Sequence, residues 1–180
     1  NARVLELGCA AGGNLLPFAC MYPNATAVGV DLSEVQVNQG KELIERMGLT
    51  NLQLHAMSIT DITPEFGTFD YIIVHGVFSW VPPEVRDAIL RVCKENLSEQ
   101  GVAYISYNCY PGWKSGEIVR DAMLFHSHFV PKEYKVASAK AMLTLLSDGL
   151  AAGNPLRPSL LGAVAQLRKH NDYYIAHEYL

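Results

Sequence analysis

Short apolar runs alternate with amphipathic stretches through the first 107 residues. Val4-Leu5-Glu6-Leu7 reads as a short buried strand, and the small residues at 8–13 have too little side chain to continue a sheet. The apolar run Leu15–Met21 predicts a helix. Pro17 is tolerated in its first turn, where a missing N–H costs little, and Tyr22-Pro23-Asn24 ends it. Ala27-Val28-Gly29-Val30 is a second buried strand closing on Asp31. Over Glu34–Met47, apolar Val35, Leu43, Ile44 and Met47 with charges between them predict a crossover helix stopped by Gly48. Residues 51–56 alternate as an outer strand does and run into Met57-Ser58-Ile59-Thr60-Asp61. Phe69–Val74 is a fourth strand. Pro83 opens a helix whose apolar face includes Val85, Ile89, Val92, Cys93 and Leu97, Gln100-Gly101 makes a turn, and residues 102–107 form a fifth strand. Such alternation predicts an α/β domain with a parallel sheet and helices on both faces.

Past Trp113 the pattern is helical, in pieces at about 115–129, 133–147 and 159–170, separated by Pro131, by Gly149, Gly153 and Asn154, and by Pro155 with Pro158. The division expected is a core at 1–113 and a helical cover or insertion at 114–180. With 180 residues and 49% hydrophobic content, the chain suits one three-layer domain and is too short for two. It opens within two residues of a core strand and closes without a helix-stop signal, so a longer parent protein is expected.

Charge narrows the partners. Fourteen basic against 18 acidic side chains, net -4, leave no basic footprint for a phosphate backbone, so nucleic acid is not expected. Cys9, Cys20, Cys93 and Cys109 contain no C-x-x-C pair and read as free thiols in a reducing cytosol. No signal peptide or bilayer-length apolar run appears, so a soluble cytoplasmic protein with no membrane partner is expected. His126 and His128 are two apart on a helix and face different ways, so no metal site is assigned. His55, His170 and His177 show no partner, and the sequence does not give the oligomeric state.

The chemistry gathers at the glycine turn. Gly8, Ala10 and Gly12 permit a tight strand-to-helix turn whose following helix points its first N–H groups back at the turn, which makes a ligand cradle. The span reads either as G-x-A-x-x-G, close to a dinucleotide fingerprint, or as E-x-G-x-A-x-G from Glu6. Glu6 decides between them: a carboxylate there repels a pyrophosphate but receives the ammonium of an amino-acid-like ligand. Asp31 has two readings, an acid gripping both ribose hydroxyls or a helix cap. Ser33 with Gln36 already supplies a capping box, which favours the first.

With these residues the chain resembles the class I S-adenosylmethionine-dependent methyltransferases, with Ala10 in place of the middle glycine of their first motif. The resemblance implies a Rossmann-like doubly wound sheet in the order 3-2-1-4-5. The family's final antiparallel strands would be missing here, or supplied only partly by residues 173–175. It implies S-adenosyl-L-methionine as cofactor and S-adenosyl-L-homocysteine as product. The cofactor would be lined by Glu6, Gly8, Cys9, Ala10, Gly12, Asn14, Asp31, Leu32, Ser58, Ile59, His75 and Gly76, with Leu32 and Ile59 on either side of the adenine. Many members have an aspartate where Ser58 stands, so the adenine amino contact falls to Ser58, a backbone carbonyl or Asp61.

His75 ends the fourth strand and is the candidate for taking the acceptor's proton, or else a wall residue beside the cofactor. Phe78, Trp80, Tyr107, Asn108, Tyr110 and Trp113 are the candidate substrate pocket, with lid packing as the alternative role of its rings. Residues 75–82 and 106–113 look like a bacterial subfamily with a downstream methyltransferase regulatory domain, some members of which are protein-lysine methyltransferases. A protein side chain or small amine is therefore the expected methyl acceptor. A catalytically silent cofactor-binding module is the alternative. An NAD-dependent oxidoreductase is a further one, favoured by Gly8, Ala10, Gly13 and Asp31 and opposed by Glu6.

Overall fold

The computed structural model describes residues 1–180, apart from the side chains of His177 and Glu178. It divides into two compact units, Asn1–Tyr107 and Asn108–Leu180.

The first unit is a five-stranded sheet of β1 (Arg3–Leu7), β2 (Thr26–Asp31), β3 (Leu52–Ala56), β4 (Phe69–Val74) and β5 (Leu97–Ile105), in the order β3-β2-β1-β4-β5. Every neighbouring pair is parallel, as the alternation predicts. Successive side chains of a strand point to opposite faces. Leu5 and Leu7 of β1 therefore join Val30, Ile72 and Val74 against Ile89 and Val92 of α3 (Pro83–Asn96). Val4 joins Ala27, Leu52 and Leu54 on the other face, under Leu15 and Ala19 of α1 (Leu15–Met21) and Val37 of α2 (Glu34–Met47). Each such fully buried aliphatic side chain contributes roughly 1.5 to 3 kcal/mol. Strand order reverses at β1, which has β2 on one side and β4 on the other, and a crevice opens beyond the carboxyl ends of strands at such a point.

Three side chains satisfy the backbone where regular structure stops. Asn51 Nδ2 lies 3.1, 3.2 and 3.0 Å from the carbonyl oxygens of Ala19, Tyr22 and Ala25, closing the end of α1 onto the start of β2. Between β3 and β4 the chain forms only 3-10 turns, Ile59–Asp61 and Pro64–Phe66. Arg91 of α3 donates to the carbonyls of Ile62 and Thr60, and Asn96 to those of Thr63 and Gly67.

The second unit packs α4 (Lys114–Ser127), α5 (Lys135–Gly149), α6 (Arg157–Leu167) and α7 (Asp172–Tyr179) around Val119, Met123, Ala139, Leu143, Leu160, Val164 and Ile175. Among the described residues no helix is long and apolar enough to cross a membrane.

Three expectations are corrected. Residues 173–175 lie in α7, started by the Asn171 side chain accepting from the Tyr174 N–H at 2.9 Å, and supply no strand. Leu97 opens β5 and does not close α3, so the strand starts before Gln100-Gly101, with a register irregularity between Phe69 and Tyr71 on its partner. His55 and His170 do have neighbours: the His55 ring meets Phe66 edge-on at 5.7 Å and His170 stacks on Tyr174 at 3.9 Å, whereas the side chain of His177 lies outside the described residues.

A Cβ on Gly40 of α2 would collide with Leu54 and stand 2.6 Å from the Ala11 carbonyl oxygen. Backbone cannot yield as a flexible side chain does, so Gly40→Ala is expected to destabilise the protein by about 1 to 3 kcal/mol despite alanine's better helix propensity. Urea unfolding checks this, and an unchanged or raised midpoint contradicts it.

Candidate functional site

β1 carries Glu6 into the middle of the sheet, level with Gly29 of β2 and Ile73 of β4. Its exposure is only 2%, a costly place for a carboxylate that is not fully hydrogen-bonded. One oxygen is served: Asn14 Nδ2 donates to Oε1 at 2.7 Å. The other, Oε2, is buried and has no hydrogen-bond partner among the described residues. Burial pushes the Glu6 carboxyl above the usual carboxylate range. The Asn14 hydrogen bond and the charge of His75 draw it back down, while the Asp31 charge adds to the rise.

The turn after β1 alternates left-handed residues, with φ of +78° at Gly8, +48° at Ala10 and +80° at Gly12. At Gly8 a side chain would also run into Val77. Ala10 adopts a conformation that disfavours a Cβ, so something must hold it there. The structure shows what does. Its N–H donates to Asp31 Oδ2 at 2.8 Å, while Gly8 and Cys9 donate to the Val30 carbonyl at 2.8 and 3.1 Å. Asp31 thus clamps the turn to the end of β2, a role that neither sequence reading named. Its Oδ1 accepts from the Ser33 N–H at 2.8 Å, and Ser33 Oγ caps α2 through the Gln36 N–H. A carboxylate offers about four acceptor positions, so two protein bonds leave room for a diol.

The Cys9 side chain turns away into the core, 4% exposed, where a Cβ on Gly29 would stand 2.6 Å from its sulfur. Burial first, then the charges of Glu6 and Asp31, push its thiol up to about 12, so it stays protonated and is no nucleophile. Leu32 stands out at 79% exposure, an apolar face with nothing of its own unit over it. Ile59, in contrast, is 8% exposed and packs in the α3-side core with Leu5, Ile62 and Phe69. Ser58 spends its hydroxyl locally, accepting from the Thr60 N–H at 3.2 Å and sharing a hydrogen bond with Thr60 Oγ1, which also donates to Asp61.

At the end of β4, His75 is exposed with its ring stacked 6.2 Å from Tyr104. Gly76 has φ +70° and open space where a side chain would be; its N–H donates to Ser106 Oγ at 2.9 Å. Phe78 is half-buried with its ring 6.3 Å from that of exposed Tyr107, and Trp80 is also exposed. Asn108, Tyr110 and Trp113 belong to the second unit. There the Tyr110 hydroxyl donates to Glu117, and Trp113 lines a groove of about 410 Å³ with Gly116, Gly162, Ala163 and His170. Among the described residues no group of three or more His, Cys, Asp or Glu could hold a metal ion.

The first unit therefore brings Glu6, the turn, Asn14, Asp31, His75 and Gly76 to one end of the sheet. Sequence reasoning missed Ser106, which accepts from the Gly76 N–H after β4, Tyr104, whose ring stacks beside His75, and the pairing of Asn14 with Glu6. No periodicity links a strand residue to the first residue beyond a turn.

Comparison with known proteins fits this geometry. The methyltransferase-domain family model matches residues 4–101. One protein of Rickettsia prowazekii is 48% identical along the whole of this chain, which covers 33% of its length. A second is 41% identical, and the chain covers 73% of it. PKMT2 from Rickettsia typhi, solved in complex with AdoHcy, superposes with a TM-score of 0.89 at 40% identity over 99% of this chain and 35% of its own. The chain thus spans about a third of the length of PKMT2 and of the first relative.

Because burial raises the Glu6 carboxyl in the folded state, the folded protein holds more protons than the unfolded chain between the ordinary and the raised value. Stability therefore falls as pH rises through that window and is recovered below it. Glu6→Gln, which cannot ionise, is expected to melt a few degrees above the parent near neutral pH, with the difference closing towards pH of about 4. Melting curves of both proteins across pH check this; a variant less stable at neutral pH contradicts it.

Proposed function

The chain belongs to the methyltransferase-domain family, and from that premise we propose that it binds S-adenosyl-L-methionine beyond the carboxyl end of β1 and methylates an amine. The acceptor is a protein lysine side chain or a small amine. The observation that carries the reading is Glu6 Oε2, a buried carboxylate oxygen without a hydrogen-bond partner among the described residues. Such an atom is best satisfied by a cationic donor, and the α-ammonium of the cofactor is one. The likeness to PKMT2 of Rickettsia typhi, solved in complex with AdoHcy, supports the cofactor, and the resemblance of residues 75–82 and 106–113 to a subfamily that includes protein-lysine methyltransferases supports the acceptor class.

The cofactor, when bound, supplies a methyl group already activated on a sulfonium. The chain has to bind, orient and exclude water, and orientation alone is worth roughly 7 to 11 kcal/mol. Glu6 holds the ammonium, the left-handed turn brings bare backbone close to the amino-acid portion, and the spare acceptor positions of Asp31 take the ribose hydroxyls. Exposed Leu32 offers its face to the adenine, whose burial would remove apolar surface from water. Ile59 acts from beneath, through the core. An amine must be neutral to attack, and apolar surroundings such as Phe78, Trp80 and Tyr107 favour the neutral form. His75, exposed at the end of β4, is placed to take the proton that the amine releases.

Calorimetric titration with S-adenosylhomocysteine tests the reading. Micromolar binding by the parent is expected, weakened at least tenfold by Asp31→Ala, which loses the diol contact and frees Ala10. In turnover on a lysine-containing peptide, His75→Gln should lower kcat about a hundredfold with little change in cofactor affinity. Absence of binding to well-folded protein rejects the proposal, and unchanged kcat removes His75 from it.

A further inference from the structure

Asn14 stands at the start of α1, where an asparagine ordinarily uses its side chain to cap the helix. Here it makes no capping hydrogen bond. Its amide turns back eight residues to Glu6 and donates to Oε1 at 2.7 Å, while Oε2 is left without a partner. Two donors of different kinds would suit a buried carboxylate: a cation, which cancels its charge, or an amide, which fixes its geometry and leaves the charge in place. The chain supplies the amide. The remaining groups facing Glu6 electrostatically are Asp31 at the end of β2 and His75 at the end of β4, with protonated Cys9 in the turn. None of them donates to Oε2.

We propose that Asn14 is a positioning residue for ligand specificity: its amide holds Glu6 by Oε1 and leaves Oε2 unpaired, so that Oε2 selects ligands carrying an ammonium group. Asn14 then acts through Glu6 and does not itself touch the cofactor. The inference rests on the cofactor reading above and adds to it a prediction about which half of the ligand Asn14 serves. Loss of the amide removes a hydrogen bond that favours the charged form of Glu6, so the carboxyl titrates at higher pH. Ammonium recognition then fails at a pH where the parent still binds.

The test is calorimetry across pH with two probes. S-adenosylhomocysteine carries the ammonium; methylthioadenosine has the same nucleoside and thioether but lacks the amino-acid end. For Asn14→Ala, and for Asn14→Leu, which keeps the volume, S-adenosylhomocysteine is expected to bind about tenfold more weakly near neutral pH. The pH below which its affinity falls should move upward, while methylthioadenosine binds as it does to the parent. Binding of methylthioadenosine also shows that the variant is folded. Equal weakening of both probes with no movement of the pH profile means that Asn14 only shapes the turn, and overturns the inference while leaving the cofactor reading intact. Failure of the parent to bind either probe overturns both.

Discussion

A glutamate sits at the centre of a parallel sheet with half of its carboxylate unanswered, and the arrangement of the first unit follows from that. A buried charge without full hydrogen bonding costs several kcal/mol, roughly the burial energy of two or three core aliphatic side chains. β1 can bear that cost because it is the central strand, with Val4 and Leu5 feeding two separate cores and Leu7 fully buried. On an edge strand water would reach Oε2 and the atom would attract no ligand in particular. The same oxygen is thus a defect in the folded chain and an acceptor left open to a donor from outside it.

The turn beyond Glu6 is held from outside. Three left-handed residues in five would be unstable as an isolated loop, and the alanine among them most of all. Val30 and Asp31 at the end of β2 accept the N–H groups of Gly8, Cys9 and Ala10, so the turn's shape is set by a neighbouring strand. Asp31 couples two tasks as a result. Its hydrogen bond to Ala10 fixes the backbone of the turn, and its bond to Ser33 sets the entry to α2, so any change in Asp31 reaches both.

Much of this is legible in the amino-acid sequence. Parallel strands and their connecting helices follow from apolar runs of strand length separated by amphipathic stretches, and Glu6 and Asp31 stand out because acids at the ends of buried strands need a reason. What stayed hidden depends on tertiary pairing. Leu97 fits the apolar face of α3 and the start of β5 equally well, and only pairing with Phe69 of β4 decides. Residues 173–175 are aromatic and β-branched, as strands are, yet Asn171 starts a helix there and Ile175 completes a helical core. The extent to which Ile59, beside the adenine in the resemblance, joins the α3-side core is equally a matter of tertiary packing. The 3-10 turn, together with Arg91 holding the carbonyls of Thr60 and Ile62, accompanies its burial under α3.

The glycine spacing alone leaves two ligand classes open, and the electrostatics of one atom separate them. A dinucleotide would bring a pyrophosphate to the turn, where it would meet the carboxylates of Glu6 and Asp31, and among the described residues no lysine or arginine is hydrogen-bonded to either acid. Left-handed glycines and helix N–H groups are indifferent to that choice, since they receive a phosphate or an amino acid's carboxylate equally well. A zwitterion suits both features at once, since a carboxylate would be received by N–H groups and an ammonium by an unpaired carboxylate oxygen. The turn and the acid are contradictory as a phosphate site and complementary as an amino-acid site. For that reason Glu6, and not the glycines around it, is the feature that separates the two ligand classes electrostatically.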